Sequence, residues 1–289
     1  MTSQNSPATW LLELLDLQAQ GQGVYTGPPS PDGRERTRTF GGQLIAQALA
    51  AASFTVPEHH VCHSLHVYFV RPGQAGRATD FEVANMRDGD TSSLRKVMAV
   101  QRDELVCEVT VSFSAPAAGR EYQRTMPNVP GPAELLRIAQ ERATELQDAP
   151  PQEQRLVKYG PLETLPVYPL ETPPQQRIWV RVAGQLPSDP NLHACALGYA
   201  SDIGAVHPSM RAVGVQLYDP DWQVASLDHA LWIHRPFRAD EWLLFVLDCS
   251  SVSAGRGLNH GAVFSQAGVL VASITQEALL RPRELLTQR

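Results

Sequence analysis

The amide side chain of Gln276 interrupts an apolar strand face. In SITQE, residues 273–277, the alternation of a β-strand places Gln276 on the same face as Leu270, Ala272 and Ile274. An amide on an apolar face needs hydrogen-bond partners. Gln276 is therefore either a residue that holds a water molecule for a reaction or a buried structural amide, and the sequence leaves both interpretations open.

Asp202 and His207 supply a carboxylate and an imidazole five residues apart in ASDIGAVHP. Such a pair could activate a water molecule by general acid–base catalysis. A simpler role is open to Asp202, because it precedes a helix-like segment and could accept a backbone N–H as the N-cap. The two roles are compatible. Ser226, in ASLDH, is by default a hydroxyl at the start of a strand.

Other reactive side chains follow no known site pattern. The clustered histidines His59, His60, His63 and His66 lack a regular ligand spacing, and no carboxylate or cysteine pair completes a metal site. The four cysteines are scattered without a CxxC pair, which argues against a zinc ribbon and a disulfide framework. There is no GxSxG elbow, P-loop or HExxH. We therefore expect no metal and no cofactor.

Composition narrows the class of protein. A chain of 289 residues with 43% hydrophobic and 19% charged residues is typical of a globular protein with one large core or two units of roughly 150 residues. No apolar run approaches the roughly 18 residues of a membrane span, and no basic region precedes the apolar N-terminal residues. We expect a cytoplasmic protein. The net charge of -6 without a long basic block argues against nucleic-acid binding.

The sequence contains an internal repeat. SLHVYFVRPG, residues 64–73, and DHALWIHRPF, residues 228–237, share an Arg-Pro pair at an offset of 164 residues. Without a gap, the same offset superposes ELVCEVTVSF at 104–113 on GVLVASITQE at 268–277. A register of this length predicts two copies of one structural unit. At this offset, Ser226 corresponds to Cys62 and Gln276 to Ser112.

Each copy is predicted to combine a helix with an antiparallel meander, which makes the fold class α+β. Small residues predominate in TFGGQLIAQALAAASF, residues 39–54, so this helix can approach its neighbours closely. Strands are predicted in the first copy at 64–71, 79–86, 94–101 and 104–113. The second copy is predicted to have a helix near 202–213 and strands near 213–218, 223–234, 242–252, 256–265 and 268–280.

A proline-rich connector separates the two copies. Residues 116–178 hold nearly half of the chain's 23 prolines and contain one candidate helix, residues 133–146, which follows Pro132. We therefore divide the chain into an N-terminal unit at 1–115, a connector with one helix at 116–178 and a C-terminal unit at 179–289.

Several short motifs occur in a fixed order over residues 40–277. They are the FGGQ helix start, HSLHVYFVRPG, the RDG turn, LGYASD, SLDHALWIHRPF and VASITQE. Together they resemble the acyl-CoA thioesterase II family. This resemblance implies a double hotdog fold, in which two tandem hotdog units form one internal pseudo-dimer. It also implies an enzyme that hydrolyses acyl-CoA to free fatty acid and CoA with an activated water.

The family's catalytic residues are an aspartate, a threonine and a glutamine. Asp202 in YASD and Gln276 in SITQE match this pattern, whereas Ser226 stands where threonine is usual. Serine keeps the hydroxyl but lacks the methyl group that restricts χ1. The resemblance implies that Asp202 is a general base or water orienter, that Ser226 and Gln276 hold the water, and that backbone N–H groups at a helix start polarise the thioester without a covalent acyl-enzyme. All three residues belong to the C-terminal unit.

Two other functions remain open. A D-x-N-P-x-H pattern marks hotdog enoyl-CoA hydratases, and Asp202 and His207 have the required separation, but Gly204 and Ala205 replace the Asn-Pro. A hydratase therefore ranks second. A non-catalytic acyl-CoA-binding module ranks third, because the chain retains Asp202 and Gln276 and departs from the pattern only at Ser226.

Three further residues are candidates for substrate binding. Gly41 and Gly42 open the first helix and could let a ligand approach the backbone, or they could simply permit tight packing. Arg256 in SAGRG is a candidate contact for the CoA phosphates, or an ordinary solvated arginine. The expected partners are acyl-CoA and further copies of the chain in a dimer or tetramer, because paired hotdog units often associate further. We expect no nucleic acid and no membrane span.

Overall fold

The computed structural model describes residues 6–30, 37–141, 156–167, 175–216 and 219–286. The helices in these ranges are α1 Pro7–Leu14, α2 Gly41–Ser53, α3 Pro132–Glu141, α4 Pro190–Ser201 and α5 His207–Ala212. The strands are β1 Gln18–Gly21, β2 Val24–Gly27, β3 Val61–Phe69, β4 Thr79–Asp88, β5 Ser92–Gln101, β6 Glu104–Ser114, β7 Val157–Tyr159, β8 Leu162–Pro166, β9 Gln175–Val182, β10 Trp222–Ser226, β11 Asp228–Ile233, β12 Leu243–Ser253, β13 Arg256–Ser265 and β14 Leu270–Pro282. Among the described helices, none combines the length and the apolar character that crossing a membrane requires.

The strands form one continuous antiparallel sheet with the two copies side by side. Its central order is β4-β5-β6-β3-β11-β14-β13-β12, so β3 and β11 join the copies. At this junction His66 pairs with Ala230. Because these two residues are 164 positions apart, they are counterparts in the repeat, and each copy contributes the same position to the junction. An approximate twofold axis through this pair relates the copies. The predicted meanders are confirmed only for β4-β5-β6 and β12-β13-β14, because β3 and β11 pair with the last strand of their own copy, β6 and β14.

Helices α2 and α4 pack against each other on the inner face of the sheet. Nearly every residue of α2 is buried, from Gly42 to Ala52. A Cβ atom on Gly42 would overlap the carbonyl oxygen of Tyr199, and one on Gly198 would lie 3.0 Å from the Ile45 side chain. The two backbones can approach so closely because glycine has no side chain. The prediction of a closely packed small-residue helix is confirmed.

The helix predicted near 202–213 is confirmed only in part, as the short helix α5 at His207–Ala212, and the longer helix α4 before it was not predicted. Helix α4 begins earlier, where the Asp189 side chain accepts the Asn191 N–H at 2.9 Å and Pro190 occupies the first turn. It ends before Asp202, and Gly204, with φ +68°, separates it from the short helix α5. The strand predicted at 213–218 is not present at 213–216, and residues 217–218 lie outside the described ranges.

The offset of the repeat changes by one residue between the strands. His66 pairs with Thr110, whereas its counterpart Ala230 pairs with Thr275, which follows Thr110 by 165 residues. The β5–β6 hairpin turns tightly on Arg102 and Asp103, both with positive φ, while β13 and β14 are joined by the longer loop 266–269. The ungapped alignment is therefore wrong at β14.

The change of offset alters one of the predicted correspondences. Gln276 corresponds to the buried Val111 and not to Ser112. The correspondence of Ser226 with Cys62 holds, because Ser226 pairs with Ala278 and Cys62 with Phe113.

The connector contributes both a helix and strands. Helix α3 starts at Pro132 as predicted, and its Leu135 is buried in a cluster with Trp179 and Phe264. The predicted helical residues 142–146 lie outside the described ranges. Strands β7 and β8, which the sequence analysis did not predict, extend the sheet beyond β9. The unit boundaries at 115 and 178 stay a prediction.

Candidate active site

The side chains of Asp202, Ser226 and Gln276 meet at one point. The Gln276 amide donates through Nε2 to Ser226 Oγ at 2.7 Å and to Asp202 Oδ1 at 3.1 Å. The Ser226 hydroxyl lies 3.5 Å from the same carboxylate oxygen. These residues stand at the end of α4, at the end of β10 and within β14, so three separate elements position the cluster. Gln276 lies on the buried face of its strand, as the alternation predicts.

The Asp202 carboxylate also holds the first turn of α2, which belongs to the other copy. Its Oδ2 atom accepts the Gly42 N–H at 3.0 Å, while the N-cap residue Phe40 makes no side-chain cap bond. The predicted N-cap role on the following helix is wrong, because Asp202 is the C-cap of α4. Asp202 instead caps α2 across the interface, where negative charge is favoured by the helix dipole.

Glycine is required at both positions of the α2 start for steric reasons. A Cβ atom on Gly41 would lie 2.7 Å from Asp202 Oδ2 and 3.1 Å from the Phe69 ring. A Cβ atom on Gly42 would overlap the Tyr199 carbonyl oxygen. Both glycines therefore permit close packing, and Gly41 in addition lines a cavity beside the carboxylate.

Burial raises the pKa of Asp202 to about 6, and hydrogen bonds from Gln276, Gly42 and Ser226 oppose this rise. Removing the carboxylate from water disfavours its charged form, whereas donors that point at it favour that form. At neutral pH the group is therefore mostly ionised. A carboxylate with a pKa just below the working pH is well suited to accept a proton from water.

His229 and Ser201, which the sequence analysis did not propose, extend the cluster into the core. His229 Nδ1 lies 2.5 Å from Gln276 Oε1, and His229 Nε2 lies 2.9 Å from Ser201 Oγ. The same alternation that marked Gln276 could have found His229, because it shares a buried strand face with Leu231. Burial lowers the pKa of His229 to about 4.

His207 does not join the cluster. Its Nδ1 atom lies 3.1 Å from Gln176 Oε1, and the hydrogen-bond partners of Asp202 are Gly42, Ser226 and Gln276. Burial, followed by the charge of Arg211, lowers the pKa of His207 to about 4. The acid–base pair that a hydratase would need is not assembled.

A cavity of about 330 Å³ opens onto the cluster. Ser226 and Gly41 lie in its wall, most of which is apolar. The lining residues are Arg38, Thr39, Gly41, Leu44, Phe69, Val70, Arg71, Pro72, Gly73, Gln223, Val224, Ala225, Ser226 and Leu227. A ligand with a chain and a negatively charged group would find both an apolar surface and two arginines here.

Arg256 lies apart from this cavity wall. Its guanidinium donates through Nε to Glu277 Oε1 at 2.9 Å, and it is not one of the lining residues. The contact of Arg256 with CoA phosphates stays a prediction.

The corresponding position in the first copy has a different composition. Phe54, the C-cap of α2, occupies the place that Asp202 has in α4. Cys62 corresponds to Ser226, and its backbone N–H donates to Asn191 Oδ1 at 2.9 Å. With Val111 in place of Gln276, this position has neither the carboxylate nor the amide, so the polar cluster is formed in one of the two copies.

The chain is similar to proteins of known class along most of its length. Residues 28–114 match the profile of the acyl-CoA thioesterase N-terminal domain, and residues 123–280 match that of the acyl-CoA thioesterase C-terminal domain. Acyl-CoA thioesterase 2 of Haemophilus influenzae is 32% identical over 278 residues, which cover 94% of this chain and 96% of that protein.

Solved structures agree with this similarity. The acyl-CoA thioesterase II TesB2 of Mycobacterium marinum has a TM-score of 0.77 at 36% identity, covering 94% of this chain and 97% of that one. A protein of unknown function with a hot dog fold from Alicyclobacillus acidocaldarius has a TM-score of 0.73 at 17% identity, covering 94% of this chain and 97% of that one, and shows the fold alone. The predicted double hotdog fold is confirmed.

Proposed function

Because this chain belongs to the acyl-CoA thioesterase family, we propose that it hydrolyses acyl-CoA to a free fatty acid and CoA, with a water molecule activated by Asp202. The observation that carries the mechanism is the contact of Asp202 with Ser226 and Gln276 beside a partly apolar cavity. The cluster offers a proton acceptor, a hydroxyl and an amide around one point, which is what positioning and deprotonating a water requires.

The reaction proceeds in two steps. Asp202 takes a proton from water while the water oxygen bonds to the thioester carbonyl carbon, and the carbonyl oxygen becomes an oxyanion. When this tetrahedral intermediate collapses, the C–S bond breaks and the leaving sulfur takes the proton from Asp202. The water supplies both the new carboxyl oxygen and the thiol proton, so no cofactor and no covalent enzyme intermediate are required.

The start of α2 stabilises the oxyanion in this mechanism. Gly41 lies in the cavity wall at the first residue of the helix, where backbone N–H groups point outward and the helix dipole favours negative charge. The neighbouring Gly42 N–H holds the Asp202 carboxylate, so one helix end places the base and the oxyanion donor side by side. Donors fixed in this way need little rearrangement during the reaction.

Arg71 is the best candidate for a contact with the CoA phosphates. It lines the cavity, and its Nη1 donates to the Leu105 carbonyl at 3.1 Å. The counterpart Arg235 donates in the same way to the Leu270 carbonyl but is also paired with Glu121 at 3.2 Å. Within the described ranges Arg71 has no such carboxylate partner, so its charge is available to a phosphate.

This assignment is tested with a substrate that lacks the nucleotide. Arg71→Ala should raise KM for acyl-CoA but leave KM for the matching acyl-pantetheine unchanged, because only the former carries the CoA phosphates. Arg137→Ala is the control and should change neither KM, because Arg137 is paired with Glu141 at 2.6 Å and does not line the cavity. Equal effects of Arg71→Ala on both substrates would contradict the phosphate contact.

The reaction class is tested with the unmodified protein. A thioesterase releases free thiol from saturated acyl-CoA, whereas a hydratase would add water to an enoyl-CoA without thiol release, and a binding module would bind acyl-CoA without either reaction. We expect thiol release, and a series of short, medium and long acyl chains measures the preference. Hydration of enoyl-CoA without thiol release would overturn the proposal.

We also propose that the protein acts in the cytoplasm as a homo-oligomer. The outer sheet face supports association, because strands β3 and β5, on either side of β6, expose Tyr68 and Met98 there in a cross-strand row through Glu108. Light scattering should give a multiple of the 31.7 kDa chain mass. A mass of one chain at micromolar concentration would contradict the oligomer, and cell fractionation tests the compartment.

A further inference from the structure

A chain of hydrogen bonds leads from the cluster into the core through Gln276, His229 and Ser201. Gln276 Oε1 lies 2.5 Å from His229 Nδ1, and His229 Nε2 lies 2.9 Å from Ser201 Oγ. The three side chains are 0–1% exposed, so water does not compete for these bonds. His229 does not line the cavity, which separates it from direct contact with a ligand there.

The ionised carboxylate of Asp202 determines where the protons of this chain lie. A carboxylate only accepts hydrogen bonds, so Gln276 must present its NH₂ group to Asp202. The amide oxygen of Gln276 then points at His229, and because it only accepts, His229 Nδ1 must carry a hydrogen. In a neutral imidazole, Nε2 then carries no hydrogen and faces the Ser201 hydroxyl, whose single hydrogen also lies within reach of the Gly198 carbonyl oxygen at 2.9 Å.

We propose that His229 is a positioning residue that fixes the Gln276 amide by donating from Nδ1 to its oxygen. The inference rests on the proposed function, since it extends the role of Gln276 in holding the reacting water. Without the Nδ1–H donor, the amide can rotate away, and its NH₂ group no longer spans Ser226 and Asp202.

Two further observations support this role. Burial lowers the pKa of His229, which keeps the ring neutral at the pH where Asp202 is ionised. Strand β11 also fixes the ring from the backbone side, because His229 pairs with Val67 in the centre of the sheet. The ring is therefore held by Gln276, by Ser201 and by the backbone of β11. A small displacement of the ring would also displace the Gln276 amide.

The proton arrangement can be measured on the unmodified protein. Long-range ¹H–¹⁵N NMR correlations distinguish the two neutral tautomers and the charged ring, with His229→Asn identifying the signal. We expect the neutral ring with hydrogen on Nδ1 at pH 7. An Nε2–H tautomer or a charged ring at that pH would overturn the inference.

Two substitutions of His229 test the contact made by Nδ1 separately from the contact made by Nε2. In His229→Asn the side-chain amide reaches the place of Nδ1 and can still donate to Gln276, whereas in His229→Gln it reaches the place of Nε2. We expect kcat to fall by about 10- to 100-fold in His229→Gln and by less than about fivefold in His229→Asn, with KM changed by less than about twofold in both. Equal losses in the two variants would overturn the role of Nδ1.

His60 offers a matched control outside the site. It is 1% exposed, and its Nδ1 lies 3.0 Å from Ser93 Oγ, so it is as deeply buried and as well bonded as His229. His60→Gln should lower the melting temperature to a similar extent as His229→Gln and leave kcat within about twofold of the unmodified value. An equal fall of kcat in both variants would mean that any buried histidine has this effect and would overturn the inference.

A double-variant cycle identifies the residue through which His229 acts. In a Gln276→Ala background, His229→Gln should cause no further loss of kcat, because the group that it positions is absent. Suppose that Gln276→Ala lowers kcat, and that His229→Gln lowers kcat by the same factor in the unmodified protein and in the Gln276→Ala variant. His229 then does not act through Gln276, and the positioning role is overturned while the proposed function stands. If Gln276→Ala keeps full activity, the proposed role of Gln276 fails together with the inference.

Discussion

Asp202 must be both buried and ionised to act as a base, and these two requirements oppose each other. Burial raises its pKa to about 6, and without the opposing hydrogen bonds the pKa would be higher still. The donors that favour the charged form come from Gln276, Gly42 and Ser226. The site therefore holds a carboxylate that is ionised at pH 7 yet basic enough to accept a proton.

The rate should follow the ionisation of this carboxylate. The protonated form cannot accept a proton from water, so kcat/KM should be constant above about pH 7 and fall as the pH drops through the pKa of about 6. At pH 5 the rate should be roughly a tenth of its value at pH 7. Thiol release measured across this range tests the assignment, and a rate that is flat from pH 7 to pH 5 would contradict it.

The same raised pKa should lower the stability of the folded protein. The folded state prefers the protonated carboxyl more than the unfolded state does, so the penalty is absent below about pH 4 and complete above about pH 6. Two pKa units correspond to roughly 3 kcal/mol as an upper bound. Asp202→Asn should therefore gain stability relative to the unmodified protein between pH 4 and pH 7 in denaturant titrations. A constant difference over this range would contradict the buried charge.

Only some residues of the candidate site could be predicted from the sequence. Gln276 was visible because it interrupts an apolar face, and Asp202 and Ser226 became candidates through the motifs around them. The link from Gln276 to His229 and Ser201 could not be read from spacing, because it joins α4, β11 and β14 through side-chain geometry. The partner of His207 was hidden for the same reason, since Gln176 lies on a distant strand.

At the scale of elements, the start of α2 meets the end of α4 at the Asp202 carboxylate. Helix α2 has no side-chain cap of its own, and Asp202 at the end of α4 replaces it. The two helices can meet at this point because Gly42 allows the Tyr199 carbonyl to approach. The Asp202 carboxylate that caps the start of α2 is therefore also the candidate base.

Gly42→Ala should destabilise the protein, contrary to the usual effect of this substitution in a helix. Alanine normally stabilises a helix interior by roughly 0.5–1 kcal/mol relative to glycine. Here the added methyl would overlap the Tyr199 carbonyl and force α2 and α4 apart, and such overpacking costs about 1–3 kcal/mol. Thermal denaturation should show a lower melting temperature, together with slower thiol release.

Gly119→Ala is the matched control, because a Cβ atom there would have no neighbour within 4 Å. It should change stability by less than about 0.5 kcal/mol. A Gly42→Ala protein as stable and as active as this control would show that the close approach of the helices is not required.

The helices and strands with the clearest periodic sequence patterns were predicted with the most accurate boundaries. Helix α2 and the strands β3 to β6 were predicted closely, since their periodic patterns are uninterrupted, whereas the four-residue strands β1 and β2 were not predicted. Helix α4 was not predicted, because PNLHACALGYAS is small and apolar without strong periodicity, although Asp189 and Pro190 mark its start. The one-residue change of offset arises in a loop, where sequence similarity between the copies gives no register.

At the scale of the whole molecule, the two copies have diverged around a shared core. The main core cluster takes residues from both copies, among them Leu44 and Phe81 from the first and Leu197 and Phe245 from the second. The polar cluster likewise needs both copies, since Asp202 holds the start of α2. Either copy alone would lack a complete core and a complete site.

A fragment of residues 1–115 should not fold by itself. Helix α2 is buried almost entirely, and α4 covers one of its sides, so the isolated fragment would expose an apolar face. We expect an insoluble or molten product with no cooperative thermal transition by circular dichroism. A soluble fragment that melts cooperatively as a monomer would contradict the shared core.

The most direct test of the proposed function is thiol release by Asp202→Asn. Asparagine has nearly the same size and can still accept the Gly42 N–H, but it cannot take a proton from water. Loss of a general base typically lowers the rate by a factor on the order of 10² to 10⁴. We expect free-thiol release from acyl-CoA to fall by about this factor at pH 7, while the melting temperature at that pH does not fall. A variant that folds normally and retains more than about half of the unmodified rate would show that Asp202 only caps α2, and the proposed mechanism would be wrong.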